Sequence, residues 1–366
     1  SPPNTSFSLL FPRFSRRHIF HCARRFYYLI YISMKFLGFP VLLAFAFCPI
    51  HAFSEKAVDS TLMVLGKDRL WYFDLQRKPF TGKAESFHEN GTKKFTANYV
   101  VGVFDGEVLG WFPDQKPASL QTFAKGKPIG LSRLWYSNGS LRKKATFKDG
   151  LLEGEASEWY ENGKLKEQVT FLDGKRTGDY KAWFEGGEIR LECGFRKDRK
   201  HGPEVERSVD GSTLRKATYE DGRLQGELNE FFPGGKKHVL ENYKDGVKNG
   251  PVREWWANGK IKLEATYVDG RHEGVHVAWR EDGSKRAEGM YANGKLNGLL
   301  REWNSDGKLI YKANFMDHKL HGEYFRWNEN GDLVVRKVFD KGREMAREVG
   351  PGATDNLKKE ESAPND

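Results

Sequence analysis

Cysteine is scarce in this sequence of 366 residues, which contains only three. Cys22 and Cys48 lie near the N-terminus, so Cys193 is the only cysteine after residue 52. A single cysteine cannot form an internal disulfide or supply a multi-thiolate metal site. We therefore expect the main part of the chain to be stabilised by packing between its own segments.

Acidic residues are absent from the first 52 positions, which hold six basic ones: Arg13, Arg16, Arg17, Arg24, Arg25 and Lys35. Removing these six from the totals of 60 basic and 50 acidic residues leaves 54 and 50, a net charge of +4 instead of +10. Nucleic-acid binding needs clusters of uncompensated Lys and Arg, and a mixed-sign surface attracts anionic lipid only weakly. We expect no nucleic-acid partner and weak or no membrane-surface binding.

Long apolar runs are missing except near the N-terminus. Met34 and Lys35 precede the apolar run Phe36–Phe47, and a small residue follows at Ala52. This layout predicts a secretory signal peptide over residues 34–52, with residues 1–33 as an upstream, non-native extension. An uncleaved transmembrane helix over Phe26–Cys48 is the alternative. The expected location is the periplasm, the outer envelope or the outside of the cell.

A helical 3.6-residue pattern is also missing, and a 24-residue repeat stands in its place. Glycine recurs at this interval from Gly82 onward; these eleven positions are called the anchor glycines below. They are Gly82, Gly106, Gly130, Gly154, Gly178, Gly202, Gly226, Gly250, Gly274, Gly298 and Gly322. Such a strict period is typical of a repeat array, in which each unit packs on its neighbours.

Two aromatic columns keep the same phase. The fifth residue after each anchor, the Trp column, is aromatic in every unit except the sixth, which has Arg207. Its tryptophans are Trp111, Trp135, Trp159, Trp183, Trp255, Trp279, Trp303 and Trp327. The seventeenth residue, the Tyr/Phe column, is always Tyr or Phe, from Tyr99 to Phe339. We expect both columns to form the structural ladder on one buried face.

Two turns divide each unit, as at Asn162-Gly163 and Asp173-Gly174. Asn, Asp and Gly tolerate the positive φ of tight hairpin turns, and the segments between the turns alternate apolar and charged residues as strands do. For the first turn we predict a type I turn followed by Gly163 in a bulge, which pairs Trp159 with Leu165. In this register we expect Trp159, Leu165, Val169 and Phe171 to share one face.

The predicted fold is therefore all-β: an elongated array of about eleven 24-residue hairpins that forms one twisted antiparallel sheet. Residues 82–346 hold the eleven units, residues 53–81 form an N-terminal cap, and residues 347–366 form a disordered tail.

The unit beginning at Gly154, with Trp159, Asn162-Gly163 and Phe171, resembles the MORN-repeat variant of bacterial YwqK-type proteins. Many of those proteins are described as antitoxin components of toxin–antitoxin systems. The resemblance covers about residues 70–346 and implies a non-enzymatic role in binding or scaffolding. The chain departs from the pattern at Gln115 and Pro117, at Asp198 in place of the closing glycine, and at Arg207.

No motif for a nucleophile, a phosphate loop or a zinc site is present, so we expect neither catalysis nor a cofactor. The pairs His272/His276 and His318/His321 fall in turns and strand starts, where their spacing does not indicate a metal site. Cys193 occupies a column that holds Ala145, Val169, Ala217 and Ala265 elsewhere, which predicts a small packed side chain.

The sequence leaves the opposite face of the sheet for a ligand. Its candidate binding residues directly follow the Trp column: Tyr136, Tyr160, Phe184, Phe232 and Trp256. We call them the loop aromatics. Exposed aromatics are typical anchors for a protein partner; alternatively they shield the face, or bind cell-wall carbohydrate by stacking on sugar rings. We also expect Trp255, in the ladder, to contribute more to stability than Trp256.

Overall fold

The computed structural model describes residues 56–74 and 78–353, which belong to a unit that clusters as Ser54–Asp366. The predicted extension and signal peptide lie outside the described residues. Twenty-eight strands form one sheet, and β2 and β3 form a separate hairpin. The only helix in the described part is a three-residue 3₁₀ turn at Ser60–Leu62.

The strands are β1 Val58–Asp59, β2 Met63–Leu65, β3 Trp71–Phe73, β4 Gly82–Phe87, β5 Lys93–Val100, β6 Val103–Trp111, β7 Pro117–Ala124, β8 Lys127–Trp135, β9 Leu141–Lys148, β10 Leu151–Leu152, β11 Gly154–Trp159, β12 Leu165–Leu172, β13 Lys175–Trp183, β14 Ile189–Arg196, β15 Arg199–Arg207, β16 Thr213–Glu220, β17 Arg223–Leu224, β18 Gly226–Phe231, β19 Lys237–Lys244, β20 Val247–Lys248, β21 Gly250–Trp255, β22 Ile261–Val268, β23 Arg271–His272, β24 Gly274–Trp279, β25 Lys285–Ala292, β26 Lys295–Trp303, β27 Leu309–Met316, β28 Lys319–Trp327, β29 Leu333–Asp340 and β30 Arg343–Val349.

The first hairpin turn of each unit has the predicted bulged geometry. In the fourth unit the Tyr160 N–H donates to the Lys164 carbonyl at 2.9 Å, and the Gly163 N–H donates to the Tyr160 carbonyl at 3.0 Å. Gly163 has φ +83°, and Trp159 pairs with Leu165. A type I turn followed by a glycine in the left-handed region makes this loop, so the predicted register is confirmed.

The second turn of each unit is a two-residue loop with positive φ at both positions. Asp173 and Gly174 have φ +51° and +75°, and Leu172 pairs with Lys175 across the turn. The fifth and tenth units place Asp198 and His318 at the second position, with φ +67° and +66°. These side chains accept hydrogen bonds from the neighbouring unit, which helps to hold a conformation that glycine adopts more easily.

The anchor glycines mark a second irregularity in the ladder. Between β12 and β13 the pairing passes from Val169 with Tyr180 to Thr170 with Thr177, so Gly178 and its successor bulge outward. Gly178 has φ +66°, and a Cβ at this position would meet no atom within 4 Å. At Gly178 the backbone conformation alone therefore accounts for the glycine.

The Trp column lies on the opposite face from the one that we expected. In β11, Ala156 pairs with Val169, and Trp159 stands three residues further along the same strand. Side chains an odd number of residues apart in a strand point to opposite faces. A shift in the pairing between Glu158 and Trp159 turns Leu165 to the side of Trp159. The prediction that Trp159 and Leu165 share a face with Val169 and Phe171 was therefore wrong.

Ring contacts at the other end of the array show the same division. The rings of Phe325 and Trp327 stack with centroids 5.5 Å apart, whereas Tyr324 contacts Phe339 at 5.9 Å. We call the side that carries the Trp column the Trp face, and the side that carries the Tyr/Phe column the Tyr/Phe face.

The buried core is a central column on the Tyr/Phe face, at the second and fifteenth positions after each anchor. Ala84, Ala156, Val169 and Ala313 in this column are at most 1% exposed. The column also holds larger side chains, such as Tyr180, whose ring lies 5.8 Å from that of Phe195 in the Tyr/Phe column. Burial between neighbouring units stabilises an array in which one hairpin alone has no core.

The first and last strands complete the sheet. β1 runs parallel to β4, which makes the sheet mixed instead of wholly antiparallel, and Met63 and Phe80 are buried beside Tyr99. At the other end β30 continues to Val349, three residues beyond the predicted boundary at residue 346, because it pairs with β29 as far as Val335. Within the described residues, no helix is both long and apolar enough to cross a membrane.

Candidate functional site

The loop aromatics make contacts between neighbouring units. The hydroxyl of Tyr136 donates to the carbonyl of Trp159, and that of Tyr160 donates to the carbonyl of Trp183, both at 2.8 Å. The indole N–H of Trp256 donates to the carbonyl of Trp279 at 3.3 Å. All three side chains are half-buried. Each hydrogen bond joins the loop of one unit to the Trp column of the next, so these residues have a structural role.

The two phenylalanines of this set cannot donate such a bond. Phe184 and Phe232 are half-buried, and Phe232 lies against His238 with ring centroids 4.2 Å apart. A ligand-binding role for the loop aromatics stays a prediction.

An asparagine two residues after the loop aromatic reinforces the same junction. The side-chain N–H of Asn138 donates to the carbonyl of Glu161, and that of Asn162 donates to the carbonyl of Glu185, both at 3.0 Å. The Oδ1 atom of Asn162 also accepts a hydrogen bond from the backbone N–H of Lys164, two residues further on, at 2.9 Å. From the sequence, Asn-Gly was interpreted only as a turn signal, and this second role was missed, although the fixed spacing from the Trp column was visible.

The rings of the Trp column are half-buried and have cations beside them. Lysine ammonium groups lie 5.9 Å from the Trp111 ring centroid, 5.5 Å from that of Trp255 and 5.4 Å from that of Trp303. At these distances a cation interacts favourably with an aromatic ring. In the last unit the guanidinium of Arg336 lies 5.8 Å from the Phe325 ring, beside Trp327. Basic groups thus lie beside several rings of the Trp face, and some of them are ion-paired, as Lys285 is with Glu288 at 2.6 Å and Arg336 with Glu323 at 2.9 Å.

The Tyr/Phe face contains buried charges that are paired. Glu204 is 2% exposed and forms ion pairs with Lys200 and Arg215. Glu158 is 7% exposed and lies 2.6 Å from the ammonium of Lys143 and 2.9 Å from that of Lys166. Burial would raise the pKa of Glu158, but the hydrogen bonds from both lysines outweigh it and lower the pKa below its ordinary value.

Cys193 is a packed core residue, as the sequence predicted. It is 7% exposed in the central column, between Tyr180 and Glu204 on the neighbouring strands. Burial raises the pKa of its thiol to about 11. Across residues 56–74 and 78–353, no three His, Cys, Asp or Glu side chains converge in a way that would hold a metal ion.

Comparison with solved structures gives remote similarities. A crystal structure of TcdB2-TccC3 is 12% identical over 77% of this chain and 19% of that chain, with a TM-score of 0.17. The Tc holotoxin pore of Photorhabdus luminescens is 9% identical over 75% of this chain and 18% of that chain, with a TM-score of 0.15. This chain therefore spans about a fifth of the length of those chains, and scores this low support no argument about function. No curated protein matches the sequence.

Comparison with known families is more specific. Residues 80–100, 128–149, 152–173, 248–269 and 296–317 match the MORN repeat variant. The matched segments fall in the first, third, fourth, eighth and tenth units. The array thus carries the MORN repeat variant at five positions, and MORN repeats are generally modules that bind proteins or membranes.

Proposed function

We propose that this chain is a non-enzymatic scaffold that binds a protein partner through its Trp face. The observation that carries the proposal is the row of half-buried tryptophans with basic side chains beside them. Tryptophan and arginine are enriched among the residues that dominate the energy of protein interfaces. A long repeat surface also suits an extended partner.

The Trp face suits this role better than the loop aromatics do. The donors of Tyr136, Tyr160 and Trp256 are already used between units. The indole rings of the Trp column are half-buried as well, so part of each ring remains open to a partner. A partner would bury the remaining ring area and would approach the lysines beside it, which favours a partner with acidic groups.

The array itself supplies a substitution for the test. The sixth unit carries Arg207 at the Trp position, where its guanidinium lies 2.7 Å from the carboxylate of Glu192. Trp279 and Trp303 have Glu264 and Glu288 at the position that Glu192 takes relative to Arg207. We therefore expect Trp279→Arg and Trp303→Arg to be compatible with the fold. Leu172→Arg, at a position 56% exposed and outside the Trp column, adds the same charge and is the matched control.

The experiment measures what full-length chains retain from a cell extract. We expect the wild type and Leu172→Arg to retain the same discrete protein, and the Trp279→Arg/Trp303→Arg chain to lose it. Retention by purified cell-wall polysaccharide would instead support a carbohydrate-binding repeat protein. A retained protein that arrests growth, and is neutralised by this chain, would support the antitoxin-like alternative. Equal retention by all three chains contradicts the role of the Trp face.

Export to the cell envelope is the second part of the proposal and rests on residues 34–52. We expect the purified mature chain to begin at Phe53, which N-terminal sequencing measures. A chain that retains the segment before Ala52 and sediments with membranes would support the uncleaved anchor instead.

A further inference from the structure

Two histidines stack against each other at the junction of the eighth and ninth units. The rings of His272 in β23 and His276 in β24 lie 5.2 Å apart with an angle of 8° between their planes. Tyr267 lies 4.2 Å from His272, and Tyr291 lies 5.1 Å from His272 and 5.7 Å from His276. Four rings thus form the contact between the two units on the Tyr/Phe face.

Both histidines occupy positions that are apolar in several other units, although Glu204 takes the position of His276 in the sixth unit and Lys248 that of His272 in the seventh. The position of His276 holds Leu228 and Val252 in the two preceding units, and the position of His272 holds Leu224 and Leu296. Across from His276 the sheet has Gly289. A Cβ on Gly289 would lie 3.2 Å from the side chain of Leu300, so the ring pair stands in a closely packed part of the column.

The hydrogen bonding of His272 suits a neutral ring. Its Nε2 lies 2.8 Å from the hydroxyl of Tyr267, and its Nδ1 is buried without a hydrogen-bond partner. A neutral imidazole can leave Nδ1 as an unprotonated nitrogen, whereas an imidazolium carries N–H groups on both nitrogens. Protonation would therefore place a buried N–H where no acceptor lies, which costs free energy.

Charged groups of both signs lie around the pair. Lys248 of β20 faces the cluster and is held 2.6 Å from Glu241 of β19. The charge of Arg286 of β25 disfavours protonation of His276, and the charge of Glu254 of β21 favours it. Burial raises the pKa of the neighbouring Tyr267, which is therefore uncharged. Burial first, then the charge of Lys248, lowers the pKa of His272; burial, then His272 and Arg286, lowers the pKa of His276.

We propose that the stacked His272–His276 pair is a pH-sensitive joint in the array, whose protonation loosens the packing between the eighth and ninth units. Two imidazolium rings 5.2 Å apart repel each other. Each charged ring also lacks the hydrating water that it would have in the open joint, which disfavours the packed arrangement. The other junctions of the array would stay packed, because their equivalent positions are mainly apolar or paired.

The direction of the pH effect follows from the difference in proton binding between the folded and unfolded joint. Both folded-state pKa values lie below the unfolded value of 6.5, so the unfolded joint binds protons more tightly. The stability of the joint is fully present above pH 6.5 and falls as the pH drops from there toward the lowered folded values. Each unit of pKa difference changes the ratio of closed to open joint tenfold.

The test is amide hydrogen exchange on the full chain at pH 7.5 and pH 5.0, corrected for intrinsic exchange rates. We expect protection in β22, β24 and β25 to fall by about tenfold or more at the lower pH, while protection in β11 and β12 changes much less. In the variant His272→Leu/His276→Leu, which uses residues found at both positions in other units, the extra fall should disappear.

Two further variants keep the test decisive. His276→Val alone leaves one imidazole and should keep part of the pH effect. His88→Tyr removes a histidine outside the joint, at a position where Tyr136 and Tyr160 occur, and should leave the effect unchanged. Equal pH dependence in the wild type and in the double leucine variant would overturn the proposal, as would a fall in protection spread evenly over all units.

Discussion

The anchor glycines allow a test of whether backbone conformation alone sets the 24-residue signature. Gly178 has φ +66° and open space where a Cβ would stand, so Gly178→Ala introduces no steric clash. An L-residue in the left-handed region costs about 1–2 kcal/mol. Alanine also lowers the conformational entropy of the unfolded chain relative to glycine, which offsets about 0.4–1 kcal/mol of this cost. We therefore expect Gly178→Ala to lower the free energy of unfolding by about 1 kcal/mol.

Two companion variants separate conformation from crowding. Asparagine tolerates positive φ better than alanine does, so Gly178→Asn should cost less than Gly178→Ala. Gly250 has φ +120°, and its Cβ would lie 3.0 Å from the Cβ of Asn242. Gly250→Ala adds this close contact to the conformational cost and should be the most damaging of the three.

The assay is urea unfolding of the full chain, followed by tryptophan fluorescence and by exchange of the amides in β12 and β13. Local exchange is needed because repeat arrays need not unfold in one step. Equal costs for Gly178→Asn and Gly178→Ala would refute the conformational explanation of the anchor glycines. Unchanged local and global stability in Gly178→Ala would refute it as well.

Further predictions follow from the contacts described above. Tyr160→Phe should cost about 1 kcal/mol through the lost hydroxyl bond between units, measured by urea unfolding; an unchanged midpoint would contradict the structural role of the loop aromatics. Trp255→Ala and Trp256→Ala should cost similar amounts, about 2–3 kcal/mol each, because both rings are half-buried; a much larger loss for Trp255 would favour the face assignment first expected from the sequence. The ion pairs of Glu158 should stabilise the fold above its unfolded pKa of about 4.5, and this contribution should be lost as the pH falls through the lowered folded pKa. In Glu158→Gln the free energy of unfolding should therefore fall less steeply between pH 6 and pH 3. Cys193, whose thiol pKa is about 11, should resist alkylation at pH 8 until denaturant is added; rapid alkylation of the native chain would contradict its burial.

The repeat length, the turn types and the loop register could all be derived from the sequence. Glycine, asparagine and aspartate have strong local preferences, so Asn162-Gly163 and Asp173-Gly174 indicate their turns without help from distant residues. Because these turns and the alternating segments between them define hairpins, the all-β fold could be predicted as well. At Asp198 and His318 local preference is overridden, because the turn is imposed by the strands on both sides and by contacts with the neighbouring unit.

The role of the aromatics could be decided only by the tertiary structure. Both columns are apolar and periodic, and a shift of one residue in strand pairing reverses the face of every side chain beyond it. The pairing shift beside Trp159 sends the Trp column and the Tyr/Phe column to opposite faces, and nothing in the residue pattern distinguishes this from a shared face. Likewise, the contact between His272 and His276 depends on a strand boundary at the bulged Gly274. Periodicity along the chain determined the units, and the backbone register between strands determined which surfaces those units bury and which they leave open.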